Sequence, residues 1–232
     1  MTKMAADTGN DPEAIKRKAR SERILVSEGV PVDNTLPLIQ LSSGRRPRSN
    51  EEVAMRALCV LMTAMKAEGM DQTMVLRVVR QYGLAAHFTP VEKDFIRNAT
   101  PTADETAAVL SQCEAAWALK YEAAWVLLWA LGFIDALSIP DQTCDINRAV
   151  ACMRNRKNTE SFINDAKLRP FSQLLDQADL VFRYHWSVTD AEQNQRNIPA
   201  GLDANVVNQR LGALNWLIRN PDTEWDDFSV EN

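Results

Sequence analysis

Apolar residues recur every three or four positions along most of this chain. That spacing places them on one face of an α-helix and predicts helices rather than strands. Runs in which apolar and polar residues alternate are missing, and so are the Asn-Gly pairs that are typical of tight hairpins. We therefore predict an all-α fold, a single compact multi-helix domain of about eight or nine helices around a long apolar central helix.

Three capping boxes indicate where helices begin. In each, a Ser or Thr is followed three residues later by a Glu, so the hydroxyl can accept a hydrogen bond from a free backbone amide and the carboxylate can reach back. They start at Ser49, Thr89 and Thr102. The third opens the longest helical pattern, residues 103–131, which would be about 43 Å long as one helix. A globule of this size is only about 45 Å across, so this helix spans the whole domain or breaks once, and we expect it to be the central element.

Shorter helices are predicted elsewhere, separated by loops that contain Gly or Pro. Residues 32–41 are apolar but irregular and contain Pro37, which is typical of a packed loop or a short edge strand. We expect residues 1–10 to be disordered, residues 11–227 to form the helical domain and residues 228–232 to be a tail. The shorter predicted helices include residues 11–27, 71–82, 145–154, 160–166, 172–195 and 203–219.

The composition suits a protein with a substantial core. Of the 232 residues, 46% are hydrophobic, and the formal net charge is −5 with both signs mixed along the chain. This balance argues against a general nucleic-acid binder, which is usually basic, although basic clusters at residues 16–23 and 45–48 leave nucleic-acid contact as a weaker alternative.

The most apolar run, residues 123–134, is too short to cross a bilayer, which takes about 20 residues, and the N-terminus lacks an apolar signal sequence. We expect no membrane contact and a cytoplasmic location.

The spacing of cysteine and histidine indicates no metal site. The chain has four cysteines and two histidines, and no Cys-x-x-Cys pair, so a zinc site of standard spacing is excluded and buried, reduced thiols are expected. A phosphate-binding loop, a dinucleotide-binding glycine motif and a nucleophile elbow are also missing from the sequence. We therefore predict no cofactor and no metal. The cysteines are Cys59, Cys113, Cys144 and Cys152.

The most informative segment, residues 174–190, carries its polar residues in one narrow stripe on an otherwise apolar helix. A helix of this kind lies inside a fold, so its charges need partners. Its carboxylates and arginine could bind a hard metal or a polar ligand. Alternatively, they could form a structural ion-pair network with arginines elsewhere, such as Arg148 or Arg210. The stripe consists of Asp176, Asp179, Arg183, Ser187 and Asp190.

Glu122 is a second candidate, since it lies between Tyr121 and the most apolar run. Burial raises the pKa of a glutamate unless a cation pairs with it, which is how a general acid or base can arise. The alternative is an ion pair with Arg183 or Arg210. We expect Glu122 to face the stripe, so that both belong to one candidate polar cluster, which consists of Glu122, Asp176, Asp179, Arg183, Asp190 and Arg210.

We do not expect the histidines and tryptophans to form a binding or catalytic site. On its helix, His185 points roughly 120–180° away from the first three members of the stripe, so we expect a core histidine there. His87 lies near a loop and is given no role. The six tryptophans occur at helical spacing, which is more typical of core packing than of an aromatic pocket.

Several separated motifs resemble those of one bacterial family. They include YEAAWVLLWALG at residues 121–132 and ALNWL at residues 213–217, and the others lie, in the same order, at residues 20–21, 29–31, 174–186, 201–203 and 225–227. The family is catalogued as domain of unknown function 4272, and the resemblance covers about residues 20–227. It implies one soluble, intracellular bacterial domain, and it implies no activity.

Two hypotheses for function follow. The first is a non-catalytic binding or regulatory module that recognises a protein partner, and it predicts an exposed apolar patch on the order of several hundred Å². The alternative is a carboxylate-based enzyme of the metal-assisted hydrolase type that uses Glu122, Asp176, Asp179 and Asp190. This enzyme requires at least three of these carboxylates to converge on a solvent-accessible cavity. Carboxylates that pair one by one with arginines and are sealed from water would exclude it.

Overall fold

The computed structural model describes residues 11–39, 47–98, 119–219 and 222–228. Within these ranges the chain forms nine α-helices, three short 3₁₀ helices and no β-strand, which confirms the all-α prediction. None of the helices in these ranges is long and apolar enough to span a membrane. The α-helices are α1 (Pro12–Ser27), α2 (Asn50–Ala67), α3 (Gln72–Tyr82), α4 (Pro90–Arg97), α5 (Lys120–Ala130), α6 (Ile146–Arg154), α7 (Thr159–Asp165), α8 (Phe171–Gln193) and α9 (Ala204–Ile218). The 3₁₀ helices are Leu84–Ala86, Pro199–Gly201 and Asp226–Phe228.

Local capping explains where most helices begin and end. Ser49 and Thr89 each accept a hydrogen bond from the amide three residues on, and Glu52 and Glu92 bond back to the capping amides, so both predicted capping boxes are confirmed. α3 ends at Gly83, whose φ of +64° is readily adopted only by glycine. Aspartate side chains cap the N-termini of α1, α3, α6 and α9. In that order, they are Asp11, Asp71, Asp145 and Asp203.

α2 and α5 form the centre of the core. Residues 53–66 of α2 and residues 121–130 of α5 are all buried, which explains why both segments are mostly apolar on all sides. α5 packs against α2 and α9, α9 packs against α8, and α8 packs against α1. The helices therefore follow one another across the domain in the order α2, α5, α9, α8 and α1.

The long central helix predicted for residues 103–131 is not confirmed. α5 begins at Lys120 and ends at Ala130, and residues 99–118 lie outside the described ranges, together with the predicted capping box at Thr102. The disorder predicted for residues 1–10 lies outside them as well. What the structure does confirm is the central, buried position of the apolar segment that α5 contains.

Residues 30–39 form a loop, so the alternative of a short edge strand is wrong for them. Lys18 of α1 holds this loop, because its Nζ donates to the carbonyl oxygens of Asn34 and Leu36 at 2.5 and 2.7 Å. The loop therefore packs against α1, as the apolar but irregular sequence indicates.

Candidate functional site

The centre of the stripe is a closed ion pair. Arg183 donates from Nε and Nη2 to the two carboxylate oxygens of Asp179, both at 2.9 Å, and the two side chains are at most 1% exposed. Nη1 of Arg183 lies 3.8 Å from Oε1 of Glu22 on α1. The prediction that the stripe faces Glu122 is therefore wrong, because this part of α8 faces α1.

Asp176 also faces α1. Its Oδ1 accepts hydrogen bonds from Arg17 Nε at 3.1 Å and from Arg20 Nη2 at 2.8 Å, while the carboxylate side chain remains 42% exposed. The sequence suggested Arg148 or Arg210 as partners of the stripe. For Asp176 this is wrong, since Arg148 pairs with Asp135 and Arg210 pairs with Glu122. Asp176 and Arg183 of the stripe therefore connect α8 to α1.

Glu122 forms a separate ion pair with Arg210 of α9. Arg210 Nε lies 3.0 Å from Glu122 Oε2, and both side chains are 2% exposed, which confirms one of the two partners suggested by the sequence. The other Glu122 oxygen accepts from the backbone amide of Cys144, and Arg210 Nη1 donates to the carbonyl oxygen of Ser138 at 2.6 Å. This pair therefore holds the segment between α5 and α6 against the core.

The geometry required by the hydrolase alternative is not present in the described residues. Asp190 pairs with Arg196 and accepts from Asn194 Nδ2 at 2.9 Å, at the end of α8. All four carboxylates of that hypothesis thus pair with arginines, and they lie at three different places in the fold. In the parts of the chain that the structure describes, no group of three or more His, Cys, Asp or Glu side chains could hold a metal ion.

The cysteines in the described ranges are thiols that burial makes unreactive. Cys59, Cys144 and Cys152 form no disulfide, and loss of hydration raises the pKa of each, to about 12 for Cys59. For Cys144, the negative charge of Glu122 raises the pKa further. Since the thiolate is the nucleophile, these groups are poor nucleophiles at neutral pH. Cys113 lies outside the described ranges.

His185 lies on α8 and is only partly buried, so the prediction that it is a core histidine stays a prediction. Burial lowers its pKa because the charged imidazolium loses hydration, and the negative charge of Glu192 opposes this only partly. Its neutral form is therefore favoured in the folded protein.

The basic cluster at residues 16–23 is largely engaged in contacts within the protein. Arg17 and Arg20 bind Asp176, and Lys16 pairs with Glu13 at 2.8 Å. Arg45 and Arg46 of the second cluster lie outside the described ranges, and Arg48 is buried. Nucleic-acid contact through these residues remains the weaker alternative.

A cleft of about 440 Å³ lies where the N-termini of α2 and α4 meet the C-terminal segment, residues 222–228. Residues 86–89, just before α4, and Pro90, its first residue, form another part of its wall. We refer to it below as the cleft. The larger side chains that line it include Arg48, Met55, Arg56, Phe88, Trp216 and Trp225.

Two buried arginines hold the wall of the cleft together. Arg56 Nη2 donates to both carboxylate oxygens of Glu92, at 2.6 and 2.5 Å, which ties α2 to α4. Arg48 donates from Nε to the Trp216 carbonyl oxygen at 2.8 Å and from Nη2 to the Thr223 carbonyl oxygen at 2.9 Å. Each of these arginines is 7% exposed. Together they connect the beginning of α2 with α4, α9 and the C-terminal segment.

Aromatic rings cover both guanidinium groups. The Arg48 guanidinium carbon lies 3.8 Å from the centre of the Trp216 ring, and that of Arg56 lies 5.1 Å from the Trp225 ring. The two tryptophan rings meet edge to face, with centres 5.3 Å apart and planes at 75°. Such contacts between cations and aromatic faces are favourable, and more so when the groups are shielded from water. The wall is therefore a packed, preorganised surface.

Sequence reasoning missed this cleft, although it noted several of its parts. The capping boxes at Ser49 and Thr89 are evident in the sequence, and residues 225–227 are one of the motifs of the resemblance. Arg48 was assigned to a basic loop, and His87, which lines the cleft, was given no role. No local signal shows that these positions meet, because their contacts join residues as far as 175 positions apart.

The family model described as Domain of unknown function (DUF4272) matches residues 17–228. The chain belongs to this family. The match covers the motifs that indicated the resemblance, and it includes every residue named above in the wall of the cleft. Neither the curated proteins nor the solved structures contain a match to this chain.

Proposed function

We propose that this domain is a non-catalytic binding module that recognises a segment of a protein partner, and that the partner segment occupies the cleft. The observation that carries the proposal is the cleft itself, about 440 Å³ in volume, with a wall of buried and mutually fixed side chains. Ligand sites in proteins commonly have volumes of about 300–1,000 Å³ and combine apolar surface with a few oriented polar groups.

The residue types of the wall also support recognition of a protein. Tryptophan and arginine are enriched among the residues that contribute most to binding at protein interfaces, and the wall contains two of each. Because Arg48 and Arg56 are already held by hydrogen bonds and by the rings of Trp216 and Trp225, little side-chain freedom is lost when a ligand binds.

The exposed apolar patch predicted for a binding module stays a prediction. Large apolar side chains that are exposed in the described residues lie on three helices: α1, α3 and α4. They are Ile15, Ile24, Val26, Met74, Leu76 and Val91.

Peptide selection tests the proposal. Random peptides are selected against the domain, and their Kd values are measured for the wild type and for two alanine-to-tryptophan variants. Ala86 is exposed and lines the cleft, so Ala86→Trp fills it from the side, whereas Ala85 is exposed on the same turn but is not part of the wall. We expect A86W to weaken binding by about tenfold or more, which is about 1.4 kcal/mol, and A85W to leave it unchanged.

Two results would contradict the proposal. One is that no peptide is enriched by the domain. The other is that the enriched peptides bind A86W as tightly as they bind the wild type. Thermal unfolding of both variants shows whether they are folded equally well, so that a loss of binding can be assigned to the filled cleft.

A further inference from the structure

We propose that the partner segment enters the cleft with a lysine or arginine side chain. This inference rests on the proposed function and specifies the chemistry of the ligand. The proposal follows from the positions of the charged groups of the cleft. The cations are buried and have partners inside the protein, whereas the exposed groups at the rim are carboxylates.

The positively charged groups of the cleft wall are buried and have partners within the protein. Arg56 is bound through one nitrogen to both oxygens of Glu92, and Arg48 donates to two carbonyl oxygens and lies on the Trp216 ring. Both side chains are more than nine-tenths buried. A ligand at the mouth of the cleft therefore meets little of their charge.

The exposed charges of the cleft are negative. Glu51, in the first turn of α2, and Glu224, in the C-terminal segment, both line the cleft and are exposed. Neither carboxylate forms an ion pair with a described residue. Glu52 adds a third carboxylate, which reaches back to the Ser49 amide. In the described residues that line the cleft, the cations are the two buried arginines, so the rim carries a net negative charge.

The helix dipoles do not reverse this sign. The N-termini of α2 and α4 each present about half a positive charge. Against this, the first turn of α2 carries Glu51 and Glu52, and that of α4 carries Glu92, whose charge Arg56 already matches. The exposed carboxylates of Glu51 and Glu224 carry two full negative charges at the rim, which exceed the two half charges of the helix dipoles. The field at the rim therefore favours a cation.

The inner part of the cleft suits the aliphatic part of a basic side chain. Met55 and Phe88 line it with apolar surface, on which the aliphatic stem of a lysine or arginine can lie while its charged head remains at the wet rim.

A pair of small probes tests the charge of the ligand directly. N-acetyl-arginine amide and N-acetyl-citrulline amide have nearly the same shape, but only the first is charged. Binding is followed through the indole signals of Trp216 and Trp225 in ¹H–¹⁵N spectra. We expect the arginine probe to bind roughly threefold to tenfold more tightly than the citrulline probe, as for one or two ion pairs at a surface, and added salt to reduce the difference.

The double variant Glu51→Gln/Glu224→Gln should abolish the preference for the arginine probe. Glu160→Gln is the matched control, because Glu160 is also an exposed first-turn glutamate, but on α7 and away from the cleft. N-acetyl-glutamate amide, tested as a third probe, should bind more weakly than citrulline.

The results distinguish the inference from the proposed function. If peptides bind the wild type and not A86W, but neutral or acidic probes are preferred, the ligand is not basic while the cleft remains the binding site. The same holds if the double variant retains the full preference for arginine. If no binding is sensitive to A86W, the proposed function itself is wrong.

Discussion

Glu122 and Arg210 meet in the interior of the protein, where an unpaired charge is costly. Their hydrogen bonds to each other, to the Cys144 amide and to the Ser138 carbonyl oxygen use most of the polar atoms of both groups. A buried pair of this kind contributes little net stability compared with apolar residues, but loss of one partner leaves the other charge buried and uncompensated. At the scale of single residues, this pair therefore fixes geometry.

Arg210→Met should destabilise the domain by about 3–5 kcal/mol, because it leaves the Glu122 carboxylate without its cation. The double variant Glu122→Leu/Arg210→Met should recover much of that loss, since it removes both charges. Urea unfolding gives the free energies. Asp135→Asn is the control, because Asp135 pairs with Arg148 where both side chains are exposed, 91% and 49% respectively, and exposed pairs contribute about 1 kcal/mol or less. A double variant no more stable than R210M would show that the charge is not the cause.

At the scale of elements, α4 shows how a helix of only eight residues is held at both ends. Its capping box at Thr89 supplies the start. Its C-terminal end rests on Lys66 of α2, which is 3% exposed and whose Nζ donates to the carbonyl oxygens of Phe95, Ile96 and Asn98, the first two at 2.6 and 3.1 Å. Carbonyl groups at a helix end have no partner within the helix, so the lysine takes that role.

Lys66→Met should therefore loosen α4 in particular. The carbonyl oxygens at the end of α4 lose their donor, at a cost of about 1–3 kcal/mol. The substitution should therefore increase the rate of hydrogen exchange at the amides of α4 more than at those of α5. Lys93→Met on α4 is the matched control. Lys93 is partly exposed, so its substitution should change the free energy of unfolding by less than about 0.5 kcal/mol. Equal effects of the two variants would argue against a capping role for Lys66.

Helix boundaries could be predicted because the residues that mark helix ends, such as the capping Asp71 and the helix-breaking Pro170, are local signals. The sequence predicted helices at residues 71–82 and 172–195, and the structure has Gln72–Tyr82 and Phe171–Gln193. The partners of charged residues could not be predicted in the same way. Asp176 binds Arg17, which lies 159 positions away, and helical periodicity shows which residues share a face but not which helix packs against that face.

At the scale of the whole molecule, the C-terminal segment closes the domain. Trp225 is 8% exposed and packs edge to face against Trp216, while Arg48 from the start of α2 binds the Thr223 carbonyl oxygen. The burial of Trp225 anchors the segment on the rest of the domain. Its anchoring site could not be predicted, because it is assembled from α2, α4 and α9.

Trp225→Ala should destabilise the domain by about 3 kcal/mol or more, as expected for a buried aromatic side chain. Hydrogen exchange should also increase at the starts of α2 and α4, which the segment covers, and not in the segment alone. Thr223→Ala is the control, since Thr223 binds Arg48 through its backbone. A W225A protein with the stability and exchange pattern of the wild type would show that the segment is not part of the folded unit.

The contact between Arg48 and Thr223 has a consequence for synthesis. The two residues lie 175 positions apart, so at about 5–20 residues per second the ribosome adds Thr223 roughly 9–35 s after Arg48. During that time Trp225, whose ring lies over the Arg56 guanidinium, has not yet been added, and the cleft has only part of its wall. A nascent or prematurely terminated chain that lacks Trp225 therefore lacks the proposed binding surface. If the proposed function is correct, only a chain completed through this segment can engage its partner.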